Sequence, residues 1–324
     1  MCTAISYKTK DHYFGRTLDY DHSYPHEIVI LPKRYKLLFK NTPQIDSHNS
    51  IIGMAYVSNG YPLYFDAIND KGLAMAALNF TGNAVYHEYS TEKTNITHYE
   101  LILYILARAS SVCEAREVLK TLNITNDQFN KETPVAMLHW MISDRNETIV
   151  VESVEDGLKI YDNPVGVLTN NPPFPIQIFS LNNYLSLTPR TPTNSFSNEL
   201  DLCNYSRGMG AIGLPGDLSS QSRFVHAAYV RCNSVCKDSE EESVGQFFHI
   251  LGSVEQQRGC CIVENGNYEI TIYSSCCNTD RGIYYYTTYG NRCICAVDMN
   301  NADLDGSELI RYPLITDEKI IRQN

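Results

Sequence analysis

Apolar and polar residues alternate with a period of two at several places in the first eighty residues, the pattern of half-buried strands. Cys2–Tyr7 alternates, Tyr13–Leu18 follows Lys10-Asp11, Ile28–Leu31 stops at Pro32, and Ile51–Val57 stops at Ser58-Asn59-Gly60. Gly72–Leu78 is a continuous apolar run, as expected of a strand covered on both faces. A helical period then takes over. Thr97-x-x-Glu100 and Ser111-x-x-Glu114 have the form of capping boxes and predict helices over Tyr99–Ala109 and Val112–Leu122. Strands are predicted again over Ala136–Ile142, Thr148–Val154, Gly157–Tyr161 and Val165–Thr169. The Pro/Asn/Ser-rich stretch from Asn171 to Asn204 reads as long loops. A second helical pair, Ser222–Cys232 and Ser243–Gln256, precedes strands near Tyr268–Ser274, Gly282–Thr288 and Cys293–Val297 and a polar tail.

Strands that follow one another directly favour antiparallel sheets, and helices that arrive in pairs favour layers outside them. No strand–helix alternation of the Rossmann kind occurs. A chain of 324 residues allows two domains or one large one at ~150 residues each. With no internal repeat and no linker-like change of composition, it reads as one domain of stacked sheets between helical layers.

Composition narrows the function classes. Hydrophobic residues are 43%, enough for a large core, which excludes a mostly disordered chain. The longest apolar run, Leu101 to Ala107, is far short of the ~18 residues a membrane span needs, so no stable membrane insertion is expected. A net charge of −11 with no basic stripe argues against a nucleic-acid partner. Of eleven cysteines, the last six cluster as Cys260-Cys261, Cys276-Cys277 and Cys293-x-Cys295, which raises the alternative of a Cys-rich zinc-binding interaction protein. No C-x₂-C pair exists, however, and neighbouring cysteines on a strand point to opposite faces. Buried, reduced cysteines are the expectation, with no metal.

Gly208-Met-Gly210-Ala-Ile-Gly213 matches a dinucleotide-binding spacing, but it follows polar sequence and runs into Leu214-Pro215-Gly216-Asp217, so a tight loop is expected. The histidines are scattered, and His139 beside Trp140 reads as packed. Cys2 remains. The N-terminus carries neither a signal-peptide nor a transit pattern, so residue 2 is expected to stay near the mature N-terminus. Without Met1, Cys2 would hold a thiol with a reference pKa of ~8.5 and an α-amine of ~7.7–8.0. One residue then supplies nucleophile and base, with no histidine needed.

Met1-Cys2-Thr3-Ala4-Ile5 and Phe14-Gly15-Arg16-Thr17-Leu18-Asp19 resemble the opening of the choloylglycine hydrolases, the family of bile salt hydrolases and penicillin V acylases. Asn69-Asp-Lys-Gly72-Leu73 through Leu78-Asn79-Phe80, Leu138-His139-Trp140 and Val167-Leu168-Thr169-Asn170-Asn171-Pro172 extend the match. Gly213-Leu214-Pro215-Gly216-Asp217 through Ser222-Arg223-Phe224, Gln246–Leu251 and Gly282–Tyr286 carry it almost to the end.

The resemblance implies an α+β fold, a four-layer αββα sandwich of N-terminal-nucleophile hydrolase type, as one domain over residues 2–324 after loss of Met1. It implies Cys2 as nucleophile, Arg16 beside the thiol, Asp19 on the α-amine, Asn170 as side-chain oxyanion donor and Arg223 as a second arginine near the nucleophile. Asn79 is implied as an oxyanion donor and a contact to the amino-acid part of the substrate. It stands where bile salt hydrolases usually carry Asn and penicillin V acylases Tyr, so glycine- and taurine-conjugated bile salts are the implied substrates and penicillin V the same-family alternative. Leu18 and Phe65 are expected at the pocket wall together with Cys2, Arg16 and Asn79. The resemblance further implies no cofactor, a cytoplasmic location and a homotetramer. Thr17 departs from the frequent Asn, Phe65 from the small residue of some members, and Pro172-Pro173-Phe174-Pro175 follows Asn171.

Overall fold

In a computed structural model that describes residues 1–131, 133–264 and 266–324, the chain opens with two strands buried along nearly their whole length, β1 (Cys2–Lys8) and β2 (His12–Tyr20). Burial on both faces is possible only in the middle of a stack. Four strands follow, β3 (Glu27–Leu31), β4 (Ile51–Ser58), β5 (Tyr61–Asn69) and β6 (Ala74–Asn79), then short β7 (Thr94–Thr97). Helices α1 (Leu101–Arg108) and α2 (Val112–Lys120) lead to β8 (Leu122–Thr125), β9 (Leu138–Ser143), β10 (Thr148–Val154), β11 (Gly157–Asp162) and β12 (Val167–Leu168). Next come α3 (Phe174–Ser180), α4 (Ser220–Asn233), α5 (Glu240–Gly252), β13 (Ile270–Asn278), β14 (Ile283–Thr288), β15 (Asn291–Asp298) and β16 (Ile310–Pro313).

One sheet has the order β12-β1-β2-β13-β14-β15 and the other β11-β10-β9-β6-β5-β4-β3-β16, with antiparallel pairing throughout. α4 and α5 cover the first sheet and α1 covers β5 and β6 of the second, which gives the expected αββα layering. The period of two divides residues between two cores. In β3, Ile28 and Ile30 face the core between the sheets, whereas Val29 and Leu31 join Ile105 and Trp140 in the core under α1. Each such side chain contributes about 1.5–3 kcal/mol by leaving water.

Several expectations are corrected. The Asn171–Asn204 stretch is not all loop: α3 and a 3₁₀ turn at Leu181–Tyr184 lie within it. The polar tail is not all coil, because β16 pairs with β3 through Ile310↔Ile30. β5 and the parallel pair β7–β8 escaped detection, since Pro62 and Asp66 interrupt the apolar signal of β5 and four-residue strands carry almost none. The Thr97 box is incomplete. Glu100 accepts the Thr97 N–H (3.1 Å) and the Lys40 N–H (2.7 Å), yet the Thr97 hydroxyl caps nothing and Glu100 itself is the N-cap. The Ser111 cap is present, with Ser111 Oγ accepting from the Glu114 N–H.

All eleven cysteines are free thiols, but only Cys2, Cys276 and Cys277 are buried. Cys260 and Cys293 are exposed and Cys261 and Cys295 only partly buried, with Cys293 and Cys295 on the edge strand β15. Among the described residues no group of three or more His, Cys, Asp or Glu side chains is arranged to hold a metal ion. The Gly208–Gly213 segment is a 3₁₀ turn with positive φ at both ends, as a tight loop requires.

The sheets are joined at one end by His12. Its ring nitrogens meet Ser6 Oγ (2.9 Å), Ser143 Oγ (3.1 Å) and Thr279 Oγ1 (2.8 Å). Burial pushes its pKa down to about 4, against an attraction to Asp144 and with help from Lys8, Arg145 and Arg231. The unfolded chain takes up this proton near pH 6.5, so the stability held by neutral His12 is complete above 6.5 and is lost as pH falls toward 4. Urea unfolding at stepped pH is expected to show a shallower fall over that window for His12→Gln than for wild type. The difference should approach about 3 kcal/mol at the acid end.

Candidate active site

Register places the site. In the β1–β2 ladder Cys2 lies opposite Leu18 and Ala4 opposite Arg16, so these four share the face turned to the second sheet. Gly15 is required because a Cβ there would lie 2.0 Å from the Ser275 carbonyl oxygen, and β13 could not close on β2. Arg16 crosses the sandwich. Its Nη1 donates to the Phe65 and Ala77 carbonyls and its Nε to Thr17 O at 3.1 Å, while buried Nη2 has no hydrogen-bond partner. Burial alone would lower the Arg16 pKa, but Cys2, Tyr273, Asp66 and Asp19 outweigh it and raise it. The arginine is held charged beside the Cys2 thiol.

The opposite face of β1 and β2 carries Thr3, Thr17 and Asp19. Arg223 reaches it from α4, with Nη1 donating to Cys2 O (2.6 Å) and Thr3 Oγ1 (2.7 Å) and Nη2 to Asn170 Oδ1 (2.8 Å). Asp19 Oδ2 lies 3.9 Å from the same guanidinium. Asp19 accepts from Thr271 Oγ1 at 2.6 Å and from Thr17 Oγ1 at 3.1 Å, so Thr17 supports the carboxylate beside it. Asn170, just beyond β12, accepts the Cys2 N–H at 2.8 Å and donates Nδ2 to the Asn79 carbonyl at 2.7 Å. Asn79 ends β6, with an exposed side chain whose Oδ1 accepts from Thr81 Oγ1. Leu18 is buried, and half-buried Phe65 lies beside the rings of Tyr24 and His26.

Of the five other expected catalytic positions, Arg16, Asn170 and Arg223 meet Cys2 directly, whereas Asp19 reaches it through Arg223 and Asn79 only through its carbonyl on Asn170. With Met1 in place, the Cys2 nitrogen is a peptide N–H and donates to Asn170, not to Asp19. The Met1 ammonium meets the Glu269 carboxylate and Asp19 O, and Met1 O accepts from Asp19 N, so residue 1 prolongs the ladder. His139 is packed as read: it stacks on Phe80 at 4.3 Å and bonds Glu152 and the Thr169 carbonyl. Asn69, part of a matched motif, is structural, because its Nδ2 caps the end of α1 at Leu106 O and Ala109 O.

Sequence reasoning passed over Gln177, Ser220, Asp66 and Tyr273. Gln177 Nε2 donates to the Asn170 and Pro172 carbonyls, and Ser220 Oγ accepts the Asn170 N–H. Asp66 accepts from Tyr273, Tyr284 and Ser275 between the sheets. A polar residue inside an apolar strand, as Asp66 is in β5, was the one signal available for it.

Two antiparallel sheets between helical layers, with a buried thiol at the start of the central strand, define the fold of the N-terminal-nucleophile hydrolases. The chain belongs to the linear amide C–N hydrolases of the choloylglycine hydrolase family, whose sequence profile covers residues 2–312. It is 53% identical over 314 residues to a bile salt hydrolase/transferase of Lactiplantibacillus plantarum, covering 97% of each chain. A bile salt hydrolase/transferase of Clostridium perfringens is 38% identical over 320 residues, 96% of each chain. The crystal structure of a mutant conjugated bile acid hydrolase from Clostridium perfringens superimposes with a TM-score of 0.93 at 37% identity, covering both chains fully. Penicillin V acylase from Agrobacterium tumefaciens shares the fold, with a TM-score of 0.75 at 20% identity over 97% of this chain and 92% of its own. Among the described residues no helix is long and apolar enough to cross a membrane.

Proposed function

We propose that this amide hydrolase cleaves glycine- and taurine-conjugated bile salts with Cys2 as nucleophile, acting as one domain over residues 2–324 once Met1 is removed. The observation that carries the reading is the grouping of Arg16, Asn170 and Arg223 about Cys2, with Asp19 on Arg223 and the Asn79 carbonyl on Asn170, in a chain 53% identical to a bile salt hydrolase/transferase.

The Cys2 sulfur attacks the amide carbonyl carbon, and its proton passes through the freed α-amine to the leaving nitrogen of glycine or taurine. The C–N bond breaks and the sterol acid remains as a thioester. Water, deprotonated by the same amine, attacks the thioester, and the thiol regains its proton as the free acid departs. Arg16 favours the thiolate, since a guanidinium does not deprotonate and lowers the pKa of a nearby thiol. Asp19 orients the amine and stabilises its protonated form. A side-chain amide has two N–H donors. Asn170 Nδ2 uses one on Asn79 O, and the second serves the oxyanion with the help of Asn79. Such donors typically supply a few kcal/mol in the transition state. Leu18 and Phe65 form part of the wall against the sterol.

Asn79 favours bile salts over penicillin V. A homotetramer is supported by the segment after α3, which leaves the large apolar side chains of Leu185 (83%), Phe196 (81%) and Tyr205 (83%) exposed to solvent. The cytoplasm, where thiols stay reduced, suits eleven unpaired cysteines.

Cys2→Ala is expected to abolish glycocholate and taurocholate turnover without change in circular dichroism. Acetylation confined to the Cys2 nitrogen is expected to lower kcat by about 10²–10⁴, because an amide has no basic lone pair. Full kcat in the acetylated enzyme, with the modification located by mass, would overturn the mechanism. Asn79→Tyr is expected to lower the ratio of kcat/KM for glycocholate to that for penicillin V, and an unchanged ratio removes Asn79 from the specificity. Light scattering coupled to gel filtration should give the mass of four chains, and that of one chain would end the tetramer reading.

A further inference from the structure

Asp66 is a fully buried carboxylate between the sheets that none of the roles above uses. Three hydroxyls fix it: Tyr273 Oη donates to Oδ1 at 2.6 Å, and Tyr284 Oη (2.6 Å) and Ser275 Oγ (2.9 Å) donate to Oδ2. The Ser275 hydroxyl also accepts the Arg16 N–H at 3.1 Å, so a single oxygen joins this carboxylate to the backbone of Arg16. On the other side, Phe65, the residue before Asp66, receives Arg16 Nη1 through its carbonyl at 3.2 Å. Asp66 is thus tied to Arg16 at both the backbone and the head group. Arg16 is otherwise held by neutral carbonyls, which orient a guanidinium without balancing its charge.

We propose that Asp66 is a positioning residue that acts through Arg16, as the buried counter-charge that limits how strongly the guanidinium stabilises the Cys2 thiolate. The inference rests on the reading of Cys2 as nucleophile. A thiolate facing an unbalanced buried cation is abundant but weakly nucleophilic, because nucleophilicity falls as the thiol pKa falls. A carboxylate behind the cation returns the thiol toward the operating pH. Burial holds the Asp66 pKa above its ordinary value overall, and Arg16 and the three hydroxyls offset only part of that rise. The other ionisable groups that act on Asp66 or Arg16 are Cys2 on β1, Asp19 on β2, Tyr273 and Cys277 on β13, Tyr284 on β14 and His26 before β3.

The test is the pH dependence of Cys2 alkylation by iodoacetamide in the full-length protein, followed on the Cys2 peptide by mass spectrometry, beside the kcat profile for glycocholate. Asp66→Asn keeps the shape and removes the charge, so the alkylation midpoint should fall by about one pH unit. kcat should drop with KM nearly unchanged. Tyr284→Phe, which removes one donor from the carboxylate and leaves Arg16 untouched, should shift the midpoint in the same direction by less, and it preserves the test if Asp66→Asn does not fold. A midpoint unmoved or raised in a folded variant overturns the proposal, and a purely structural Asp66 would lower the melting temperature alone. Alkylation reports the Cys2 thiol whether or not it is the nucleophile. Failure of the functional reading shows separately, as activity retained by Cys2→Ala.

Discussion

Two guanidinium groups, each 1% exposed, are enclosed in the layers of this protein, and the rest of the structure is organised by the need to satisfy them. A buried cation without partners is strongly destabilising, and removing one partner of a buried pair typically costs 3–5 kcal/mol. Arg223 meets the demand with Leu218 O, Cys2 O, Thr3 Oγ1, Asn170 Oδ1 and the Asp19 carboxylate. These groups belong to four separate segments. α4, the start of β1, the end of β2 and the turn after β12 therefore cannot shift independently, and the position of Cys2 follows from charge solvation as much as from apolar packing.

The two arginines are treated differently, and the difference has a chemical consequence. Arg223 donates toward Asn170 and lies near Asp19, and burial lowers its pKa. Arg16 donates mainly to carbonyls and its pKa is raised, with Asp66 and Asp19 near it. One guanidinium braces the strand that carries the thiol, and the other brings positive charge to the thiol itself. Because both act on residues of the central strands, the site stands on rigid elements.

Legibility in the sequence followed local signal strength. Long periodic segments such as β2, β10 and β14 were readable because residues on alternate positions enter cores on opposite sides. The chain between Asn171 and Asn204 lacks that periodicity, and α3 exists there because Phe174 and Gln177 find burial against α4 and Asn170, a tertiary reason. β16 likewise owes its strand form to the edge of β3. The Thr97 box is half made because Thr97 belongs to the β7–β8 pair: Glu100 accepts the Thr97 and Lys40 N–H groups, and the Thr97 hydroxyl caps nothing.

The sequence alone determined that residues 2–20 would form two adjoining strands with a cysteine at the first position. It determined that a glycine would precede Arg16. Those properties are local: alternation and turn residues are written in consecutive positions. The tertiary structure decided which distant groups complete the site. Asn170 and Arg223 reach Cys2 across 168 and 221 residues of chain, and Asp66 meets Tyr284 across 218. No periodicity encodes such meetings. They arise where two sheets and a helix close on one another, and where every charge left inside must find a partner.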